Sequence, residues 1–444
     1  MNFLDAIYNA GVVGAGGAGF PTHMKMTKEV GTFIVNGAEC EPLLEVDKFL
    51  MREKSYELIK GMEIIAENLK SKRIVIGLKK KYKKEIEILS ETISKLNSSV
   101  ELYLMENFYP AGDEQIMVKD ITGKSIPAGG IPLDVDAVVS NVGTVINVYE
   151  ALEEKPVIKK YVSILGEVNN PIMLEVPIGM SLNECIDKAG GAKIKNYAVI
   201  DGGPMMGKIL HKEELEEKSV VKTTGALIIL SEDHYIIKRK ERPVEHMLNE
   251  TRAACIQCRM CTDMCPRYLI GHNLRPHKIM RAMGMGENDD EILKEALICC
   301  ECNVCELFAC PMGISPKSTN TYLKGVFREK GVRYEGNKEI PEADPMRESR
   351  KIPINRLIAR LNLTKYYNNK VADLERVTTD KVKIFLSQHI GKPASPIVQI
   401  GEEVIEGQRI AEVGRDEFGA NIHASINGKI SKIENTYIEI EKRV

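Results

Sequence analysis

Nine of the chain's 11 cysteines lie between Cys255 and Cys310. Their spacing is that of thiolate ligands to iron. The first run is Cys255-x2-Cys258-x2-Cys261-x3-Cys265, closed by Pro266. Three thiolates with two residues between neighbours wrap one corner of a cubane on a tight loop. The fourth follows after a turn that proline helps to fix, and in this bacterial-ferredoxin spacing it serves the other cluster of a pair. The second run, Cys299-x2-Cys302-x2-Cys305-x4-Cys310-Pro311, has one extra residue before its last cysteine and carries Cys300 outside the spacing. Crossed ligation predicts one cluster on Cys255, Cys258, Cys261 and Cys310 and a second on Cys299, Cys302, Cys305 and Cys265. The competing readings are zinc and structural thiols. Zinc sites use two CxxC pairs or mix Cys with His, so two four-cysteine runs closed by Cys-Pro point to two [4Fe–4S] clusters. Cys300 reads as a non-ligand neighbour, and Cys40 and Cys185 as small buried hydrophobes.

A second candidate lies near the N-terminus. Gly14-x-Gly16-Gly17-x-Gly19 gives a backbone that can approach a phosphate and turn its N–H groups into an anion nest. It satisfies GxGxxG, but the dinucleotide fingerprint needs a preceding strand, and residues 2–10 read as a short helix. The residues alone leave phosphate binding and a tight structural turn equally open.

The elements that must position these groups follow in order. Short β-branched runs at Thr32–Asn36, Arg73–Leu78, Val100–Met105 and Ala137–Asn141 alternate with helical patterns near 52–70 and 80–97. This predicts an open, mainly parallel α/β sheet over 1–155. A smaller α+β module is predicted over 156–237, with Ser181 and Glu184 spaced as a capping box. A helical cysteine domain is expected at 238–335, a charged linker and short helix at 336–379, and a β sandwich or barrel at 380–444 with closely spaced glycine turns. The fold class is thus multidomain α/β and α+β.

Composition narrows the function. Lys and Arg total 61 against 63 Asp and Glu, so a general polyanion binder is not expected. Residues 238–281 are locally basic, but only Tyr268 is available there for base stacking, which argues against nucleic acid. No stretch approaches the roughly 20 apolar residues of a membrane span, and the N-terminus has no secretory pattern. The expected location is cytoplasmic, a reducing compartment that disfavours a disulfide framework.

GAGGAGFPTHMK followed by VNGAECEP resembles the flavin-binding subunit of respiratory complex I. With YPAGDE, SNVGT, GGPMMG and VVKTTGA, the chain resembles the RnfC family of electron-transfer proteins over nearly its whole length. The resemblance implies a Rossmann-like FMN domain, a β-grasp SLBB module, a dicluster ferredoxin domain and a barrel-sandwich hybrid. In RnfC the last of these comes first. Here GKPASPIVQIGEEVIEGQ comes last, an order similar to the microcompartment cobalamin reductase type and the proline reductase-associated type. Lysine is missing between Val413 and Ile422, where a biotin or lipoyl carrier presents one, so a structural or docking role is expected of this domain.

Position by position, the resemblance puts Gly14, Gly16, Gly17 and Gly19 along flavin and dinucleotide. It puts Phe20 where an aromatic stacks on nicotinamide and Lys25 as a cation near the flavin. Asn36, Glu39 and Glu41 match an NxxExEP segment, and Asp113 and Glu114 an acidic pair near the cofactor. Asn141 and Thr144 match residues near the FMN phosphate and ribityl chain. Ala38 and Gly143 stand where complex I has acidic residues.

The implied function is an oxidoreductase that passes electrons from NADH or NADPH through FMN and two [4Fe–4S] clusters to a protein or corrinoid acceptor. Amino-acid reductases such as proline reductase, ferredoxin, and a larger reductase, membrane or microcompartment complex are the candidate partners, and a homo-oligomer is open. With no DxHxxG motif, a corrinoid would be substrate and not a resident cofactor. The alternative is a relay or scaffold subunit whose nucleotide pocket, altered at Ala38 and Gly143, no longer accepts NADH.

Overall fold

The computed structural model describes residues 2–286, 290–336, 339–367, 369 and 371–442. Asn337 and Lys338 of the expected charged linker, and 368 and 370 further along it, lie outside the described residues.

Four strands, β1 (Thr32–Asn36), β2 (Arg73–Lys79), β3 (Glu101–Met105) and β4 (Ala137–Asn141), form an all-parallel sheet in the order β3-β2-β1-β4. Phe33, Ile34 and Val35 make an unbroken apolar run in β1 because helices cover both faces. On one face Leu58, Met62, Leu89 and Val145 share a core with Phe33 and Val35. On the other, Ile116, Met117 and Ile121 pack with Ile34, Val75 and Val139. The chain runs β1 to β3 outward and then returns to lay β4 on the other side of β1. Strand order therefore reverses between β1 and β4, whose last residues, Asn36 and Asn141, are register partners. In open α/β sheets ligands bind at such a switch point, beyond the carboxyl ends of the strands.

The second module is a six-stranded mixed sheet. Its strands are Lys159–Gly166, Ile172–Pro177, Tyr197–Asp201, Lys208–His211 and Ala226–Ser231, plus Ala372–Arg376. This last strand comes from the expected linker. It pairs in parallel with Ile172–Pro177 and so covers what was an open sheet edge. Ile352–Pro353, from the same segment, pairs with Phe108–Tyr109. The segment is thus a strap across both modules; its short, polar strand carries too little alternation to be read from sequence. The predicted capping box is also absent. Ser181 makes no side-chain cap bond, and Glu184 instead accepts from Thr379 Oγ1 at 2.8 Å, a partner nearly 200 residues away.

Helices Pro276–Met285 and Pro316–Glu329 contribute to the core behind the cysteine loops, through Ile279, Ala282, Leu323 and Phe327. The C-terminal module encloses Val382, Ile384, Ile410, Ile430 and Ile440 between a four-stranded and a three-stranded sheet. It folds back on the start of the chain: Tyr8 donates to Val413 O at 2.6 Å and Arg409 to Asn9 Oδ1 at 2.7 Å.

Lys222 pins this junction. Its ammonium is buried, donating to Gly11 O at 2.6 Å and to Asn421 O at 2.7 Å, while its backbone N–H donates to Gln388 Oε1 at 2.9 Å. Gly11 has φ +65°, and a Cβ there would stand 2.2 Å from Asn421 O, so the approach requires glycine. Burial pushes the Lys222 amine down to about 7 from an ordinary 10.5. Lys222→Met leaves two buried carbonyls unpaired and should cost about 1–3 kcal/mol for each. Between pH 7 and 10.5 the unfolded state binds the extra proton at this site, so the wild type gains stability with rising pH and the variant lacks that gain. Denaturation of both proteins at pH 7 and pH 9 should show their gap widening at the higher pH.

Candidate functional site

The glycine loop leaves the first helix (Phe3–Asn9) and closes on itself. Gly14 N–H donates to Phe20 O at 2.9 Å and Gly19 N–H to Gly14 O at 3.2 Å. It lies over the switch point. Ala15 N–H donates to Thr144 Oγ1 at 2.8 Å, and a Cβ on Gly16 would stand 3.3 Å from the Asn141 side chain. Gly17, with φ +104°, has open space where a Cβ would be. Residues Gly16 to Ala18 are exposed while Gly19 is buried. The loop therefore exposes three residues beside the start of the helix Val142–Leu152, and backbone N–H groups in such a turn suit an anion.

The two asparagines shape the crevice. Asn141 Oδ1 accepts from Gly143 N–H at 2.9 Å, capping that helix, and its Nδ2 donates to Asp47 Oδ2 at 2.8 Å. Asn36 Oδ1 accepts from Ala38 N–H at 3.1 Å and its Nδ2 donates to Gly112 O at 2.8 Å. Lys25 and Glu114 form a partly exposed ion pair at 2.9 Å.

Three residues expected at the cofactor make contacts with other modules. Glu41 accepts from Met205 and Met206 N–H at 2.8 and 2.9 Å, in the GGPMMG turn of the second sheet. A Cβ on Gly203 would fall 2.2 Å from that carboxylate, which explains the glycine. Asp113 caps the helix Glu114–Thr122 and forms a bidentate pair with Arg267 at 2.7 and 3.0 Å. Phe20 meets Phe418 of the C-terminal module edge-on, centroids 5.1 Å apart.

Around the expected Glu39, sequence reasoning missed a set of charges: Lys79 and Lys160 are buried and Asp47 is half-buried. Burial raises the Glu39 carboxyl, and burial with the nearby Glu39 raises Asp47 to about 7. Burial lowers Lys79 and Lys160 to about 8. Lys160 donates to Ala15 O at 3.3 Å and so touches the glycine loop directly. Lys79 had a legible signal: it ends the apolar run RIVIGLK and is 1% exposed. Asp47 and Lys160 had none. Buried cations and half-buried carboxyls beside an exposed glycine turn fit a polar, anionic, proton-exchanging group such as FMN.

The cysteines line two cavities. One, of about 340 Å³ including its mouth, is walled by Cys255, Cys258, Cys261 and Cys310. The other, of about 280 Å³, is walled by Cys265, Cys299, Cys302 and Cys305, with Cys300 beside them. Four thiols converging on each cavity suit iron–sulfur chemistry. The loops share a backbone signature. Gln257 and Arg259 flank Cys258 with φ +54° and +68°, and Glu301 and Asn303 flank Cys302 with φ +58° and +65°. Four non-glycine residues in the left-handed region are strained, and the repeat wraps both loops alike. The extra residue before Cys310 is absorbed by a π-helical turn, Val304–Ala309, where the first run has the α-helical turn Met260–Asp263.

The two sets differ in setting. Cys265, Cys299, Cys302 and Cys305 are all buried. Arg267 ties their module to Asp113, Tyr109 Oη donates to Cys302 O at 2.8 Å, and Asn303 Nδ2 donates to Met205 O at 2.8 Å. This inner set faces the α/β sheet and the Glu41-bound turn. In the outer set Cys258 is exposed, rimmed by the exposed Ile256 and Met312. Cys300 is half-buried in the inner wall, its thiol lowered chiefly by a hydrogen bond with Cys302.

Known families match these modules in turn. The Nuo51 FMN-binding domain matches residues 7–150, the SLBB domain 161–208, the 4Fe-4S dicluster domain 254–315 and the RnfC barrel sandwich hybrid domain 364–444. Among the described residues no helix is long and apolar enough to cross a membrane. The chain is 42% identical to the cobalamin reductase PduS of Citrobacter freundii over 98% of its own length and 95% of that protein's. It is 41% identical to its counterpart in Salmonella typhimurium, with the same coverage. Over 59% of its length it is 33% identical to a component of the Na(+)-translocating ferredoxin:NAD(+) oxidoreductase complex of Acetobacterium woodii, covering 57% of that component. With the four modules and the PduS identity over almost its full length, the chain belongs to the PduS and RnfC family of flavin and iron–sulfur electron-transfer oxidoreductases.

Proposed function

We propose that the chain oxidises NADH at the switch-point crevice and delivers single electrons from its outer thiol set to a corrinoid, free or held by a carrier protein. The observation that carries this reading is the series arrangement: glycine loop, inner thiols tied to the α/β sheet, outer thiols with Cys258 at the surface. The corrinoid is favoured over amino-acid reductases and ferredoxin by the 42% identity to a protein named cobalamin reductase. When bound, FMN supplies the exchange between two-electron and one-electron transfer, and the clusters supply one-electron carriage.

The chain's residues have distinct tasks in this reading. Gly14, Gly16, Gly17 and Gly19 keep the loop thin enough for a phosphate to meet backbone N–H groups. Asn36, Asn141 and Thr144 hold the strand ends and the loop in register. Lys25 and Glu114, Phe20 and Glu39 border the flavin and nicotinamide, and Asp47 with Lys160 holds protons near the ring at neutral pH. Glu41 and Asp113 act from further off, fixing the inner thiols to the crevice. Cys265, Cys299, Cys302 and Cys305 hold the inner cluster, and Cys255, Cys258, Cys261 and Cys310 the outer.

A second reading, a relay that does not oxidise NADH, draws on two packed positions. Ala38 is fully buried, and a Cβ on Gly143 would stand 3.3 Å from Ala15 Cβ, so neither offers the pocket a carboxylate. Anaerobic addition of NADH to the reconstituted protein decides between the two: flavin absorbance should bleach within seconds, and an unchanged spectrum selects the relay. Cys258→Ala should lower iron from about eight to about four per chain with flavin content unchanged. Cys265→Ala should leave NADH bleaching intact but abolish reduction of the outer cluster, followed by electron paramagnetic resonance. Joint loss of flavin and iron in either variant would refute the assignment of separate modules.

A further inference from the structure

The C-terminal β module touches the glycine loop at the point where the loop re-enters the fold. Ile390 N–H donates to Gly19 O at 3.2 Å. A Cβ on Gly19, where φ is +65°, would stand 3.0 Å from His389 Cα and 3.2 Å from Thr223 Cγ2. Phe418 lies edge-on to Phe20, at an interplanar angle of 70°. These contacts grip only the far limb of the loop, leaving Gly16 to Ala18 exposed.

The grip is built on rigid parts. Lys392 N–H donates to Phe418 O at 2.7 Å, and a Cβ on Gly391 would fall 2.1 Å from the same oxygen, so the 389–392 turn and Phe418 are locked together. His389 Nε2 accepts from Ala420 N–H at 3.0 Å. Gln388 binds the backbone of Lys222, whose ammonium holds Gly11 ahead of the loop. Both ends of the glycine loop are therefore referenced to the C-terminal module. Phe418 is still 36% exposed, so the Phe20–Phe418 pair presents an apolar edge to solvent next to the open turn.

We propose that the C-terminal module is a wall of the dinucleotide site, with Phe418 as a positioning residue that sets where Phe20 stands and hence how tightly the nicotinamide end of the donor is held. This rests on the reading that NADH binds at the glycine loop. The module then has a role in donor recognition that needs no carrier lysine.

The test uses the full-length reconstituted protein and NADH:ferricyanide turnover. Phe418→Leu keeps apolar volume and removes the ring edge. An aromatic pair of this kind is worth a factor of about three to ten. KM for NADH should rise by that factor while kcat, flavin content and unfolding midpoint stay near wild type, and Phe418→Tyr should restore KM. Phe385→Leu, which breaks the separate Phe385–Tyr437 pair of the same module, should leave KM unmoved. An unchanged KM in F418L, or an equal rise in F385L, overturns the proposal. Flavin lost from F418L, whether or not F418Y keeps it, also overturns the proposal. A wild type whose flavin NADH does not reduce refutes the donor reading itself and this inference with it.

Discussion

Asp113 and Arg267 meet between the α/β sheet and the cysteine loops with side chains 14% and 9% exposed. A carboxylate and a guanidinium that far out of water are tolerable only when paired and hydrogen-bonded; losing one partner typically costs about 3–5 kcal/mol. Here the geometry is bidentate, and Asp113 also accepts from the first amides of its own helix. Arg267 sits two residues beyond Cys265, so the pair fixes the inner thiols against the sheet that carries the glycine loop. Glu41 with Met205, and Asn303 with Met205, close the same contact from the second module. Electron transfer between modules needs a fixed separation, and these bonds supply it.

The crevice obeys the same rule under a different constraint. Glu39, Asp47, Lys79 and Lys160 are held where burial pushes carboxyls up and amines down, toward the range in which protons exchange near neutrality. A site that must take up and release charge benefits from groups poised in this way. Asp47 is linked to the strand ends through Asn141, so protonation there bears on the residue that also caps the helix beneath the loop. The strap residues 352–353 and 372–376 and the Lys222 junction keep the surrounding modules in place.

Much of this was legible locally. The parallel sheet could be read because β-branched runs separated by helical patterns have few other solutions, and the cysteine spacing named its chemistry because a loop's reach is set by residue count. What escaped was non-local. Ser181 and Glu184 had the right spacing for a capping box, yet Thr379 claimed the glutamate. Glu41 and Asp113 stood in motifs associated with a cofactor, and their carboxylates turned to Met205 and Arg267.

The sequence by itself determined the module types, the two cysteine groups and the glycine turn, since each depends on residue identity over a few positions. Only the tertiary structure decided which thiols face the sheet and which face solvent, that two lysines are buried beside half-buried acids near the loop, and that the C-terminal module rests against Gly19 and Phe20. Such facts depend on desolvation and on contacts between residues hundreds of positions apart, and neither is encoded in spacing.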